Sequence, residues 1–242
     1  MSESTWPVLE LRYYTLHPGS RDTLIDLFDR EFIEAQEALG CRLLGQFRVE
    51  DDPDRFVWLR AYTDMATRWT MLNGFYVESE TWRTHAETAR STMVDSDNVL
   101  LLRPIPGGEL RVPADRPTRD ATALPPARVD ATVYHPEGSI DEFAEFFDTR
   151  VAPVLRAAGI DPAGRYRTEP APNDFPRLPV REGERVFVWF ALFPDAERRT
   201  EQLAALSRDP LWNNDIRPQL DKRLTVPETV LRLAPTARSA LR

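Results

Sequence analysis

The segment Gly40-Cys-Arg-Leu-Leu-Gly45-Gln-Phe-Arg-Val-Glu50 returns 119 residues later as Gly159-Ile-Asp-Pro-Ala-Gly164-Arg-Tyr-Arg-Thr-Glu169. Upstream, Thr15-Leu-His-Pro-Gly-Ser20 is answered by Val133-Tyr-His-Pro-Glu-Gly-Ser139. Downstream, Val57-Trp-Leu59 matches Val188-Trp-Phe190, Trp82 matches Trp212, and Val99-Leu-Leu-Leu-Arg-Pro104 matches Val230-Leu-Arg-Leu-Ala-Pro235, now at an offset of 131. Landmarks kept in one order at a near-constant spacing mark an internal repeat. The jump in offset places a 12-residue insertion in the second copy, within residues 169–183. The expected organisation is a first repeat over 1–104, a proline-rich linker over 105–127 and a second repeat over 128–242.

Each copy reads strand, helix, strand, strand, helix, strand. A first strand near Leu9–Leu16 ends at the His-Pro-Gly turn. Leu24, Leu27, Phe28 and Phe32 then recur at helical spacing, as do Ile140, Phe143, Phe147 and Val151 in the second copy. Gly40 and Gly159 stand where a helix C-terminus calls for a left-handed residue. Further strands fall near Leu43–Glu50, Phe56–Tyr62 and Val99–Arg103, with a helical region over Met65–Thr92 broken near Asn73-Gly74. This is a ferredoxin-like βαββαβ unit, used twice, in the α+β class. Helices cover one face of such a sheet, and two copies can cover the other by packing sheet to sheet into a barrel.

Composition narrows the function. The 242 residues carry a net charge of −8, which argues against a nucleic-acid partner. No run approaches the ~20 apolar residues of a membrane span, and Met1–Trp6 lacks the basic-then-apolar pattern of a secretory signal. Cys41 is the only cysteine, so no internal disulfide can form, which fits a cytoplasmic location; its thiol is either half-buried or reactive. Lys222 is the only lysine among 31 basic residues, a bias that suggests a bacterial GC-rich genome.

Glu10-Leu-Arg-Tyr-Tyr-Thr-Leu-His-Pro-Gly19, followed by Leu43-Leu-Gly-Gln-Phe47 with Glu50 and by Val57-Trp-Leu-Arg-Ala-Tyr62, resembles the NIPSNAP family. The resemblance covers the whole first copy and, more loosely, the second. It implies the dimeric α+β barrel superfamily, here as an intramolecular pseudo-dimer in one chain. It implies little about activity, since the wider superfamily includes cofactor-free oxygenases, haem enzymes and small-molecule isomerases.

Strand alternation sorts the faces. Leu11, Tyr13 and Thr15 align with Val129, Ala131 and Val133; this mostly apolar set is expected beneath the helices. Glu10, Arg12, Tyr14 and Leu16 align with Arg128, Asp130, Thr132 and Tyr134 and are expected inside the barrel. So are Gln46, Arg48 and Glu50 with Arg165, Arg167 and Glu169, and Trp58, Arg60 and Tyr62 with Trp189, Ala191 and Phe193. Two readings of that interior compete. In one it is a pocket for a polar aromatic molecule: Glu10, Arg12, Tyr14 and His85 are the catalytic candidates, and Arg48, Glu50, Trp58, Tyr62, Tyr134, Arg167 and Trp189 bind ligand. In the other, the swapped charges Glu10/Arg128 and Arg12/Asp130 pair across a pseudo-twofold axis as a structural seam, and the tryptophans are core.

His17 and His135 close the first strands and read as turn residues, with no metal site expected. His85 lies on a helix where the second copy has Asp215; it is a surface residue or, as in some barrel relatives, a haem ligand. The insertion is a lid or a tolerated surface loop. The leading functional reading is a small-molecule enzyme without a cofactor: an oxygenase, isomerase or cyclase acting on an aromatic or polyketide-like compound. A non-catalytic protein that binds a small molecule or a partner, and a haem protein, are the alternatives. The expected partner is a small organic molecule, with the chain a monomer or a further homodimer.

Overall fold

The computed structural model describes residues 6–242; Met1–Thr5, part of the stretch read above for a secretory signal, lies outside them. β1 (Val8–Leu16) turns through Gly19, at φ 76°, into α1 (Arg21–Leu27). The helical path continues through a π-helical turn (Phe28–Phe32) into α2 (Ile33–Glu37). Gly40 ends it at φ 95°, a conformation open to glycine because it has no Cβ. β2 (Arg42–Val49) and β3 (Arg55–Tyr62) follow. α3 (Met65–Asn73) starts where Asp64 accepts the Thr67 N–H at 2.6 Å. α3 ends at the expected Asn73-Gly74. The chain runs through a π-helical turn (Gly74–Glu78), and Ser79, extended and accepting from the Trp82 N–H, caps α4 (Glu80–Ser91). A short β4 (Met93–Asp95), not anticipated, precedes β5 (Val99–Pro104).

The second half repeats this order: β6 (Arg128–Tyr134), α5 (Ile140–Phe146), α6 (Ala152–Ala157), β7 (Pro162–Thr168), β8 (Phe187–Phe193), α7 (Ala196–Arg208), α8 (Arg217–Asp221) and β9 (Thr229–Pro235). A π-helical turn (Phe147–Val151) interrupts its first helix at the position matching Phe28–Phe32.

The strands run β3-β2-β9-β6-β8-β7-β5-β1, and β1 pairs back to β3, so the sheet closes on itself; β4 hangs on β1. Each half shows the ferredoxin order, its fourth strand beside its first, then its third and second. The halves join at two antiparallel seams: β2 to β9, with Phe47 opposite Pro235, and β5 to β7, with Leu102 opposite Thr168. Closure leaves the eight barrel strands without an open edge. Two ferredoxin-like repeats thus form one α+β barrel within a single chain.

The barrel interior is apolar. Leu9, Leu11, Phe47, Val57 and Leu59 of the first repeat meet Val129, Ala131, Val188, Phe190 and Leu233 of the second in one buried cluster. Burying each large aliphatic or aromatic side chain contributes roughly 1.5–3 kcal/mol. The stretches after β5 and β9 add Leu110 and Leu241 to this cluster. Leu110 N–H donates to the Tyr166 hydroxyl at 2.9 Å, and Leu241 N–H donates to the Leu44 carbonyl at 2.8 Å. Residues 105–127 form no helix or strand, yet part of the segment is anchored: Arg116 donates to Glu37 at 2.8 Å and to the Arg238 carbonyl at 2.6 Å.

This inverts the expected assignment of faces. Leu11, Val129, Ala131 and Val133 line the barrel, not the helix layer, while Tyr14, Leu16, Trp58 and Tyr62 pack beneath the helices of the first repeat. The swapped pairs Glu10/Arg128 and Arg12/Asp130 do not meet across the pseudo-twofold. Glu10 pairs with Arg12, Arg60 and Arg68 of its own repeat, whereas Arg128 pairs with Glu50 and Asp130 with Arg199. The reason is where each polar group finds a partner. An apolar barrel core offers none, and a buried charge without one is costly; the helix layer supplies Arg68 and Arg199 at matching positions of α3 and α7.

Candidate functional site

Between the outer face of β1–β3 and the first repeat's helices lies a cavity of about 260 Å³. Its floor carries Tyr14 from β1 and Trp58 from β3, edge-on to one another at 5.9 Å between ring centres. The helices add Phe28, Phe32, Phe75, Tyr76 and Trp82. Their rings interlock, with Phe28 on Trp58 at 4.8 Å and Tyr76 on Trp82 at 4.8 Å, which holds the walls in place. The inserted segment of the second repeat covers this cavity: Phe175 and Leu178 join the first repeat's helix-side cluster, and Phe175 is 5% exposed.

A charged network stands behind the floor. Alternation along β1 and β3 puts Glu10, Arg12, Arg60 and Tyr62 on the cavity side of the sheet, all fully buried. One Glu10 oxygen, Oε2, accepts from Arg60 Nη2 at 2.7 Å, Arg60 Nε at 3.0 Å, Arg12 Nη1 at 3.3 Å and the Tyr62 hydroxyl at 3.3 Å. The other, Oε1, accepts from Arg68 Nε at 2.9 Å. Burial alone would raise the Glu10 carboxyl pKa, but Arg60, Arg12 and Arg68 outweigh it and hold the pKa well below the usual carboxylate range. Arg60 is also tied to Gln36 at 2.6 Å. Arg68 reaches outward to Asn173 and Asp174 of the insertion.

Arg12 is less completely satisfied. Its Nε donates to the Tyr14 hydroxyl oxygen at 2.9 Å, and its Nη2 is buried with no partner among the described residues. Arg12 and Arg60 lie 5.3 Å and 4.8 Å from the Trp58 ring centre, within cation–π range. Burial raises the Tyr14 pKa against the opposing pull of Arg12, so the hydroxyl stays protonated at neutral pH. Its oxygen is taken by Arg12, and no acceptor among the described residues takes its hydrogen. The Trp58 Nε1–H is likewise unpartnered.

Of the residues singled out in the sequence, the structure brings Glu10, Arg12, Tyr14, Trp58 and Tyr62 together, outside the barrel rather than within it. The others lie elsewhere. His85 packs against Phe32 at 6.3 Å between rings and sits 4.0 Å from Glu31, one layer behind the cavity wall and not among its lining residues. Arg48 and Arg167 pair with Asp22 and Asp141 on the helices above them. Glu50 pairs with Arg128 and Arg199. Tyr134 and Trp189 pack in the second repeat's helix-side core against Phe143 and Phe147. There Ala191 and Phe193 replace Arg60 and Tyr62. Cys41 is buried, which pushes its thiol up to about 12, unsuited to a nucleophile. No three His, Cys, Asp or Glu side chains among the described residues are grouped to hold a metal, and no described helix is long and apolar enough to cross a membrane.

Gln36, Phe75, Tyr76, Arg68, Asp174 and Phe175 were not among the sequence candidates. Arg60 was visible, two residues from Trp58 on the same face. Phe175 lay in the insertion, which the sequence left open as a lid or a surface loop. The others had no signal, because their role depends on how the helices sit on the sheet.

Residues 9–107 match the NIPSNAP family; the second repeat lies outside the matched span. No curated protein matches the chain in sequence. Among solved structures, the chain is similar to a Fusobacterium nucleatum protein described as a candidate monooxygenase, at 10% identity and a TM-score of 0.62, covering 99% of this chain and 98% of that one. A protein from Lactobacillus acidophilus with the same description gives 12% identity and a TM-score of 0.55, covering 98% and 99%. An anthrone oxidase-like protein gives 11% identity and a TM-score of 0.58, covering 100% and 97%. At such identities these likenesses show the fold alone.

Proposed function

We propose, from the premise that residues 9–107 are a NIPSNAP domain set in a one-chain α+β barrel, that the protein binds a small aromatic molecule in the first repeat's helix–sheet cavity and holds one of its oxygens on the Tyr14 hydroxyl. The observation that carries this reading is the free hydrogen of Tyr14 on an aromatic wall, its oxygen already occupied by Arg12. A donor fixed in this way binds a carbonyl or phenol oxygen and binds it more strongly as negative charge develops there. Arg12 stays cationic, so it supports Tyr14 without exchanging a proton. Such a site suits cofactor-free chemistry through an enolate or phenolate: isomerisation, cyclisation or reaction with dioxygen on a polyketide-like compound. The names borne by the structural neighbours, a candidate monooxygenase and an anthrone oxidase-like protein, accord with that class.

One observation favours a carrier without turnover as the second reading. Glu10, engaged by three arginines and held ionised, is a poor proton acceptor, and His85 does not line the cavity. Glu10 is therefore assigned a positioning role. His85, the ligand of the haem reading, packs behind Phe32 and is not among the residues lining this cavity.

Calorimetric titration with a panel of phenols and enolisable aromatic ketones tests binding, using protein purified without added cofactor. Tyr14→Phe keeps the ring and removes the donor; it should weaken binding by about 10-fold, the cost of a ~1.4 kcal/mol hydrogen bond. Equal affinity in wild type and variant would refute the role of Tyr14. Product analysis of the bound compounds, with and without oxygen, separates enzyme from carrier.

A further inference from the structure

We infer that the cavity takes its ligand as an anion, which selects acidic phenols, enols and 1,3-dicarbonyl compounds that ionise near neutral pH. The inference rests on the binding site proposed above and adds the charge state of its occupant.

Three guanidiniums, Arg12, Arg60 and Arg68, face two carboxylates, Glu10 and Asp174. The three arginines and Glu10 have no side-chain exposure, while Asp174 retains 27% and reaches only Arg68. Even with Asp174 counted, one positive charge is left without a counter-charge. Leaving a charge in that state inside a protein is strongly unfavourable, so a group that compensates it is expected nearby.

The deficit is greatest at Arg12. Arg60 spends its donors on Glu10, Gln36 and Tyr76, and Arg68 on Glu10, Asn173 and Asp174, while the Arg68 Nη2, which makes no hydrogen bond, still stands 2.8 Å from Glu10 Oε1. Arg12 has one long contact to Glu10, one bond to the Tyr14 oxygen and an orphaned Nη2. Its only bonded link to the cavity is the Tyr14 hydroxyl. A negative oxygen accepting from that hydroxyl would form a relay with Arg12, the anion accepting from Tyr14 and Tyr14 from Arg12.

The same layer of the second repeat supplies a contrast. Thr132, Asp130 and Ala191 stand there in place of Tyr14, Arg12 and Arg60. Asp130 meets Arg199, and Arg199 also meets Glu50, so that layer carries no surplus of buried arginine.

A delocalised oxyanion is suited to this setting. Its charge is spread over a ring or a conjugated chain, so it loses less hydration on entering an aromatic cavity than a compact carboxylate does. Glu10 cannot take a proton readily, so a ligand that ionises in solution needs no base from the protein.

The test uses 4-nitrophenol, whose phenolate has its own absorption band, titrated over pH with and without the protein. The bound probe is expected to ionise at least one pH unit below the free probe, equivalent to a tenfold or greater preference for the anion. Arg12→Met should abolish that shift. Asp174→Asn removes a negative charge from a partly exposed position and should deepen it, which keeps the test valid if the Arg12 variant does not fold. Tyr14→Phe should weaken binding and so locates the probe. A bound probe that ionises at or above its free pKa overturns the anionic inference and leaves the binding site standing. Failure of both forms to bind, together with failure of the neutral phenol panel, overturns the site itself.

Discussion

At Glu10 a single carboxylate organises much of the first repeat's interior. It joins β1 to β3 through Arg60, β1 to α3 through Arg68, and supports Arg12 behind Tyr14. Replacing it leaves the arginines buried without their shared partner, so Glu10→Gln should lower unfolding free energy by roughly 3–5 kcal/mol in denaturant titrations. The pH dependence has a defined sign. The folded pKa of Glu10 is depressed, so its stabilisation is complete above the unfolded value of about 4.3 and is lost as pH falls towards the folded value. The stability gap between wild type and Glu10→Gln should therefore narrow as pH drops from about 4 to 2. A gap that stayed constant over that range would show that Glu10 acts through packing rather than charge. Glu10, Arg12, Tyr14, Trp58 and Tyr62 were legible as one constellation because strand alternation puts them on one face. Arg68 was not, since only the placement of α3 on the sheet brings it to Glu10.

At the scale of elements, the insertion is the part whose role the structure changes most. It belongs in sequence to the second repeat but covers the first, with Phe175 in the cavity wall and Asp174 on Arg68. Its order should depend on those two anchors more than on its own backbone, because residues 169–183 form no helix or strand. Phe175→Ala should raise amide hydrogen exchange across 170–182 while β1, β3 and α3 keep their protection. It should also weaken ligand binding by opening the cavity. Uniform loss of protection throughout the first repeat would instead make Phe175 part of the folding core.

At the scale of the whole molecule, one chain closes the barrel. The β2–β9 and β5–β7 seams occupy the edges that separate ferredoxin-like units would leave free. A monomer is accordingly proposed to be the stable species, with a melting temperature that stays constant over a wide dilution series; a fall on dilution would reveal an obligate further dimer. The barrel interior is closely packed beside Gly164. A Cβ added at Gly164 would come within 2.5 Å of Leu110 Cγ, so Gly164→Ala should cost about 1–3 kcal/mol, read as a drop in melting temperature.

The sequence by itself determined the succession of strands and helices, apart from β4, and which residues share a strand face. Both follow from local periodicity and turn chemistry, neither of which depends on distant parts of the chain. Which face turns inward was decided only in three dimensions. Alternation specifies two sets of side chains but is unchanged when the faces are exchanged, and Leu9 and Leu11 could have met either helices or a second sheet. The choice was made by partners far away in sequence. Val129, Ala131 and Phe190 offer β1 an apolar surface, while α3 offers a guanidinium to Glu10. The polar face therefore lies beneath the helices, and the cavity with it.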